Sequence, residues 1–201
     1  MLKKYVIYFL LLLSFGAVYV HADETLSYNV KKKVYMSSVV FELNAKKSMI
    51  GTVVKSPFRL RTNYDLYDAR GVWQASAVCR ILTLGLFYDW GTEMDFYDPA
   101  GAYIGMIDGQ VVTEASAKFS FYDAEGSHVG IAYLDVNNTG FTIVNPENQY
   151  HTIAQYTRNF VENTLDTWDV IIYDQRQIPA ELLHVFGAFA VDRQGSFKAD
   201  T

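Results

Sequence analysis

The sequence predicts a mainly β protein, an antiparallel closed barrel of about twelve strands built from repeated hairpins around a hydrophobic helix near the C-terminus. Three observations predict this fold. A hairpin motif recurs at a regular spacing, its strands alternate between apolar and polar side chains, and one late segment is apolar on every side. The chain holds a single cysteine, so an internal disulfide cannot support the core.

The first 22 residues have the pattern of a secretory signal peptide. Lys3 and Lys4 form a positive start, residues 5–20 form an apolar stretch, and Val20 and Ala22 occupy the small-residue positions of a cleavage site. The alternative is a membrane anchor, but the apolar stretch is shorter than the roughly 20 residues that a helical span needs. We therefore expect cleavage after Ala22, a periplasmic or secreted protein, and no transmembrane span after cleavage.

The mature chain has a length that suits one domain with its own core. We expect a flexible N-terminal segment over residues 23–33 and the barrel over residues 34–201. The expected state is a monomer.

The repeated hairpin is clearest in "FYDAEGSHVG" at residues 121–130. Similar segments stand at residues 96–105, 66–75 and 42–51, with weaker ones at 143–150 and 171–178. An Asp or Asn opens each turn and can accept hydrogen bonds from the backbone, and in the clearest copies a Gly three residues later tolerates a positive φ. In four copies a Gly or Ala seven residues after the Asp or Asn indicates a point where the returning strand must be thin. Six such hairpins predict about twelve strands.

The strands beside these turns alternate as half-buried antiparallel strands do. In "ASAKFSF" the alternation places Phe119 and Phe121 on the inner face. In "FRLRTNYDL" it places Leu60 on the inner face and Arg59 and Arg61 on the outer face.

The segment "IPAELLHVFGAFAVDRQG" predicts a helix over residues 179–192. Pro179 suits a first helical turn, and Glu181 lies near the positive end of the helix dipole. A helix that is apolar on every side must be surrounded by protein, and a twelve-stranded barrel leaves a lumen that such a helix can fill. The last six residues, "SFKADT", are expected to form the strand that closes the barrel.

Five segments carry a resemblance to a known family, and they are "LYDARG", "FYDPAGAYIG", "FYDAEGSHVG", "IIYD" and "AELLHVFGAFAVD". Together they resemble the tubby C-terminal-like superfamily, which contains tubby, the phospholipid scramblases and the LURP-one-related proteins. The resemblance covers roughly residues 34–200. It implies a twelve-stranded barrel around a helix, a domain without catalytic activity, and binding to lipid headgroups. We expect an exported binding or structural module whose partner is an anionic lipid or a protein, and no nucleic acid.

Basic residues are concentrated near the start of the mature chain. Residues 31–61 carry eight basic side chains and one acidic one, although the whole chain is acidic. Such a patch favours an anionic partner, and an arginine pair can hold a phosphate by charge-assisted hydrogen bonds. The candidate ligands of an anionic headgroup are Arg59, Arg61, Lys46, Lys47 and Lys55. The alternative is that these charges keep strand edges and turns soluble.

The sequence contains no common hydrolase, metalloprotease or phosphate-loop motif, and we expect no catalytic residue, metal or cofactor. Cys79 is expected to be a small buried residue, and His184 a hydrogen-bonded core histidine. The segment 89–98 holds four carboxylates, Asp89, Glu93, Asp95 and Asp98. A hydrolase that uses two of them is the alternative function, and a solvated acidic rim is the simpler interpretation.

Overall fold

A computed structural model describes residues 25–46, 48–56, 60–81, 83, 91–113, 116–135, 139–159 and 167–193. The expected signal peptide (residues 1–22), the side chains of Lys47, Arg59 and Asp89, and the final "SFKADT" segment lie outside these residues.

The described residues form a closed antiparallel barrel of twelve strands around one helix, as the sequence predicts. The strands are β1 Leu26–Val34, β2 Val39–Ala45, β3 Ser48–Lys55, β4 Asn63–Asp68, β5 Trp73–Cys79, β6 Glu93–Tyr97, β7 Tyr103–Thr113, β8 Ser116–Asp123, β9 His128–Leu134, β10 Gly140–Val144, β11 Thr152–Asn159 and β12 Thr167–Ile172. Each strand pairs with its neighbours in sequence, and β1 pairs with β12 to close the barrel.

The strand that closes the barrel corrects one prediction. Residues 23–33 are expected to be flexible, whereas residues 26–33 belong to β1, which pairs with both β2 and β12. Tyr28 and Val30 of β1 are buried in the core, so the inward alternation is present. In the sequence the three lysines that follow Val30 interrupt this apolar alternation, so the segment does not have the pattern of a strand. The twelfth strand of the barrel is thus formed by residues 26–34, at the N-terminal end of the described residues.

The hairpin turns are built as the repeat predicts. Gly71, Gly101 and Gly126 have φ values of 78°, 81° and 81°. The carboxylate of Asp98 accepts a hydrogen bond from the Ala102 N–H at 2.8 Å, and that of Asp123 accepts one from the Ser127 N–H at 2.7 Å. The carboxylate therefore orders the four residues after it, and the glycine provides the left-handed step that turns the chain back.

The thin positions of the returning strands also have a physical cause. At Gly51 a Cβ atom would lie 2.6 Å from the carbonyl oxygen of Tyr67 on the neighbouring strand β4. A side chain cannot occupy that space without moving the backbone of β4.

Gly126 offers a direct test of the turn. Replacing Gly126 with valine is expected to lower the free energy of unfolding by about 1–2 kcal/mol, because a β-branched residue tolerates a positive φ poorly. Gly126→Asn is the matched control and should cost clearly less, since asparagine populates the left-handed region. Urea unfolding of residues 23–201 measures both costs, and equal costs for the two variants would contradict the explanation.

Helix α1, Ala180–Arg193, lies inside the barrel and is buried on every side. It starts one residue after the predicted position, with the carbonyl of Pro179 accepting a hydrogen bond from the Leu182 N–H at 3.1 Å. Leu183, Phe186 and Phe189 are fully buried among the strand side chains. No helix of the described part of the chain is long and apolar enough to cross a membrane.

The two ends of the barrel differ. The repeated turns after β2, β4, β6, β8 and β10 lie at the end where α1 begins, which we call the turn end. Lys32 near the end of β1 and Lys55 at the end of β3 both contact Asp192 in the last turn of α1. The loops after β1, β3 and β5 therefore share the opposite end, which we call the helix-exit rim. The described residues of these three loops are 35–38, 56, 60–62, 80–81, 83 and 91–92.

Candidate functional site

A cavity of about 180 Å³ opens at the helix-exit rim. Three arginines and three threonines line it, and they are Arg61, Arg80, Arg193, Thr62, Thr83 and Thr92. They come from the β3–β4 loop, the β5–β6 loop and the last turn of α1. A wider hollow outside the cavity shares Arg61 and Arg80 with it. Guanidinium groups beside hydroxyls form a set of donors that suits an anion.

The acidic neighbours of this cavity hold Arg80 in place. Its Nε and Nη2 atoms donate to the two carboxylate oxygens of Asp95 at 2.8 and 2.7 Å, and its Nη1 atom donates to Glu93 at 2.7 Å. The hydrogen bond to Asp95 raises the pKa of Arg80 above its ordinary value. Arg80 is therefore a fixed guanidinium whose charge these two carboxylates offset.

The hydrolase alternative gains no support from this geometry. Glu93 and Asp95 share Arg80 as a partner, and Asp98 orders its own turn through the Ala102 N–H. A glycosidase needs two carboxylates that face one scissile bond, one of them able to give a proton. The three described carboxylates are instead engaged in fixing the backbone and Arg80.

A buried carboxylate lies just inside the same rim. Asp192 accepts hydrogen bonds from Lys32 at 2.9 Å, from Lys55 at 2.5 Å and from the Tyr64 hydroxyl at 2.8 Å. Burial disfavours its charge, but the bonds and charges of Lys55 and Lys32 outweigh this effect and hold the pKa of Asp192 below its ordinary value. Two lysines thus share one carboxylate, and the cluster keeps a net positive charge.

The other two arginines of the cavity differ in their exposure. Arg61 is exposed on the loop before β4. The guanidinium carbon of Arg193 lies 6.0 Å from the ring centre of Phe189, within the range of a cation–π contact. The face of the cavity therefore combines a solvent-facing guanidinium with one that is packed on the helix.

Apolar side chains project from the same loops. Met36 and Leu60 are fully exposed, and Tyr35 and Ile81 are also exposed. Their loops follow β1, β3 and β5, which places them next to each other along one side of the rim. Exposed apolar groups next to arginines on one rim are a feature of surfaces that contact a membrane or another protein.

The structure separates the predicted anion ligands. Arg61 lies at the cavity, Arg59 and Lys47 lie outside the described residues, and Lys46 is exposed at the turn end. The eight residues of β3 span roughly 25 Å, so Lys46 and Lys55 cannot meet one ligand. Lys55 points inward to Asp192 and not to the outer face.

The predicted strand position of Leu60 and Arg61 is wrong. Both lie in a bend before β4 begins at Asn63, and Leu60 is exposed where the alternation places it inside. The sequence "FRLR" does alternate between apolar and basic residues, but its two described residues, Leu60 and Arg61, belong to a loop of the helix-exit rim and not to a strand.

The predicted set of anion ligands lacks Arg80 and Arg193. The pairing of β4 with β5 brings Arg80 beside the loop of Arg61. The Cys79 N–H donates to the Thr62 carbonyl at 2.9 Å there. The predicted hairpin over residues 66–75 is therefore the signal that points to Arg80. The position of Arg193 depends on the course of α1 through the barrel.

Cys79 and His184 are of residue types that are often reactive, but their surroundings keep both side chains unreactive. Cys79 lines the cavity but is buried, which raises the pKa of its thiol to about 11 and keeps it protonated at neutral pH. His184 forms a hydrogen bond of 2.9 Å with the Tyr28 hydroxyl, and burial lowers its pKa to about 4. Among the described residues no three His, Cys, Asp or Glu side chains are grouped as metal ligands would be.

Comparison with known proteins gives no matching family model and no matching curated protein.

Proposed function

We propose that the protein is an exported binding module without catalytic activity, and that its helix-exit rim docks on an anionic lipid surface. The single observation that carries this proposal is the coincidence of exposed Met36 and Leu60 with the arginine-lined cavity on one rim. The apolar side chains enter the interface between headgroups and acyl chains. Arg61 and the cavity then receive a lipid phosphate.

The expected strength of this contact is moderate and depends on salt. A basic residue near an anionic membrane contributes about 1 kcal/mol, and this contribution falls within a Debye length. Buried apolar area contributes about 25 cal/mol per Å². A few side chains of each kind therefore favour reversible docking and not insertion.

The fold agrees with the resemblance to the tubby C-terminal-like superfamily, since a twelve-stranded barrel around a helix is what that resemblance implies. This agreement in fold is one of the observations that support the proposed membership of that superfamily. The protonated Cys79 thiol and the carboxylates engaged by Arg80 support a function without catalysis.

Sedimentation of the mature chain with vesicles tests the docking. Vesicles of phosphatidylcholine with added phosphatidylglycerol should bind the protein at low salt, and pure phosphatidylcholine vesicles should bind it more weakly. Arg61→Ser should lower the affinity for anionic vesicles about fivefold, as the loss of one charge predicts. Met36→Ser/Leu60→Ser should weaken binding to both kinds of vesicle.

Lys46→Ser is the matched control, because it removes a basic residue from the turn end. Binding should remain at the wild-type level. A loss with Lys46→Ser equal to that with Arg61→Ser would contradict the assignment of the rim, as would wild-type protein that does not sediment with anionic vesicles.

A further inference from the structure

A second concave surface lies on the outer wall of the barrel and extends from Asn63, at the rim end of β4, to Gly101 in the turn after β6. It is a groove of about 320 Å³ over strands β4, β5 and β6, which we call the wall groove. Its walls are the aromatic side chains of Tyr67, Trp73 and Tyr97, and its floor is formed by Asn63, Asp65 and Ser76. The volume lies at the lower end of the range of about 300–1,000 Å³ that is usual for small-molecule pockets.

The residues of the floor face outward and are nevertheless buried. Their neighbours Tyr64 and Ala75 belong to the core, so Asp65 and Ser76 must point away from it. Asn63, Asp65 and Ser76 are only 8%, 5% and 7% exposed. Outward positions of a barrel are ordinarily solvated, and the floor is therefore recessed between taller side chains.

The polar floor is organised across two strands. Asp65 and Ser76 are direct partners in the pairing of β4 with β5, and the Ser76 hydroxyl donates a hydrogen bond to the Asp65 carboxylate. Ser76 is in turn the partner of Tyr97 in the pairing of β5 with β6. A carboxylate, a hydroxyl and an aromatic ring thus stand in one row across the groove.

The aromatic walls are held in fixed orientations. The indole N–H of Trp73 donates to the carbonyl of Ala75 at 2.9 Å, yet the side chain stays 41% exposed. The ring of Tyr97 packs edge to face against Tyr103 with 5.9 Å between ring centres. A rigid ring loses little entropy when a ligand stacks on it, which favours binding.

We propose that the wall groove binds a neutral carbohydrate, one or two pyranose rings of an oligosaccharide. A pyranose has an apolar C–H face that stacks on an indole or phenol ring, and an edge of hydroxyls that bond to carboxylate, amide and hydroxyl groups. The Asp65 carboxylate, with Asp98 nearby in the lining, disfavours an anionic ligand. The polar floor disfavours a purely apolar one. This inference does not depend on the proposed lipid docking.

The competing explanation is that Asp65 and Ser76 only fasten β4 to β5. That role explains the bond between them but not the exposed, oriented face of Trp73 above it. The test therefore centres on Trp73, whose truncation removes the stacking surface and leaves the bond between Asp65 and Ser76 in place.

Isothermal titration of the mature chain with cellotetraose, chitotetraose and mannotetraose tests the proposal. At least one of these oligosaccharides should bind, and Trp73→Ala should weaken that binding about tenfold or more, as the loss of a central tryptophan does elsewhere. Trp73→Phe keeps an aromatic face and should lose less affinity. Asp65→Asn keeps the shape of the floor and should weaken binding by a smaller factor than Trp73→Ala.

Tyr35→Ala is the matched control, because it removes an exposed aromatic ring from the helix-exit rim. It should leave oligosaccharide binding unchanged. The proposal is overturned if none of the three oligosaccharides binds the wild-type protein. It is equally overturned if Trp73→Ala, shown by its urea midpoint to be folded, binds as well as the wild type.

Discussion

Replacing Phe186 with alanine is expected to lower the free energy of unfolding by about 4 kcal/mol. Phe186 is fully buried near the middle of α1. Its ring centre lies 5.2 Å from those of Phe119, Phe121 and Phe141 and 5.3 Å from that of Tyr156, in each case at a steep edge-to-face angle. The side chain therefore joins the helix to rings from three strands of the barrel wall.

The expected cost has two parts. Alanine loses the transfer free energy of a phenyl ring, and the space left behind cannot be filled by movement of the surroundings. The surrounding rings stand on β8, β10 and β11, which are held on both sides by hydrogen-bonded neighbours. Edge-to-face pairs add about 0.5–1.5 kcal/mol each beyond their buried area, so the loss lies in the upper part of the usual range.

Urea unfolding of residues 23–201, followed by circular dichroism, measures the effect. Leu60→Ala is the control for a large apolar side chain that is fully exposed, and it should change the stability by no more than about 0.5 kcal/mol. A cost below about 1 kcal/mol for Phe186→Ala would mean that the barrel collapses onto the gap, and would contradict a rigid wall around α1.

The success of the sequence in predicting the strands follows from the local nature of turn chemistry. Asp123 and Gly126 form their turn through contacts within five residues, so the spacing of Asp and Gly is visible without the fold. The helix was predictable for a different reason. Leu182, Leu183 and Ala188 lie on different sides of α1, and only the interior of a barrel can bury all of them.

Two of the errors, the missed strand β1 and the outward placement of Lys55, arise where a charged side chain occupies an inward position. Lys32 and Lys55 continue the inward alternation of β1 and β3, but they reach the rim and meet Asp192 there. From the sequence alone, lysines at these positions are expected on the surface. This expectation is why β1 was not predicted as a strand and why Lys55 was a candidate ligand. The site was only partly predictable. The hairpin of β4 and β5 places Arg80 beside Arg61, but the course of α1 through the barrel, which carries Arg193 to the same cavity, has no signal in the sequence spacing.

Asp192→Asn is expected to lower the free energy of unfolding by about 3 kcal/mol, because breaking a buried ion pair leaves a charge without its partner. The side chain of Asp192 is almost fully buried, and the side chains of Lys32 and Lys55 are about three-quarters buried. Asparagine keeps the shape and can still accept the hydrogen bond from Tyr64. Asp192 also lies in the last turn of α1, where the helix dipole disfavours a carboxylate, so its charge is tolerated only because of the lysines.

The lysines provide the decisive comparison. In a Lys32→Met/Lys55→Met background, Asp192→Asn should cost less than about 1 kcal/mol or become stabilising, because the carboxylate would then be the buried charge without a partner. The pKa of Asp192 is lowered in the folded state, so its contribution is present at neutral pH and is lost as the pH falls below about 4. The difference between wild type and Asp192→Asn should therefore shrink in acid. Urea unfolding at neutral and acidic pH measures both effects, and an equal cost of Asp192→Asn in the two backgrounds would show that the lysines are not its partners in stability.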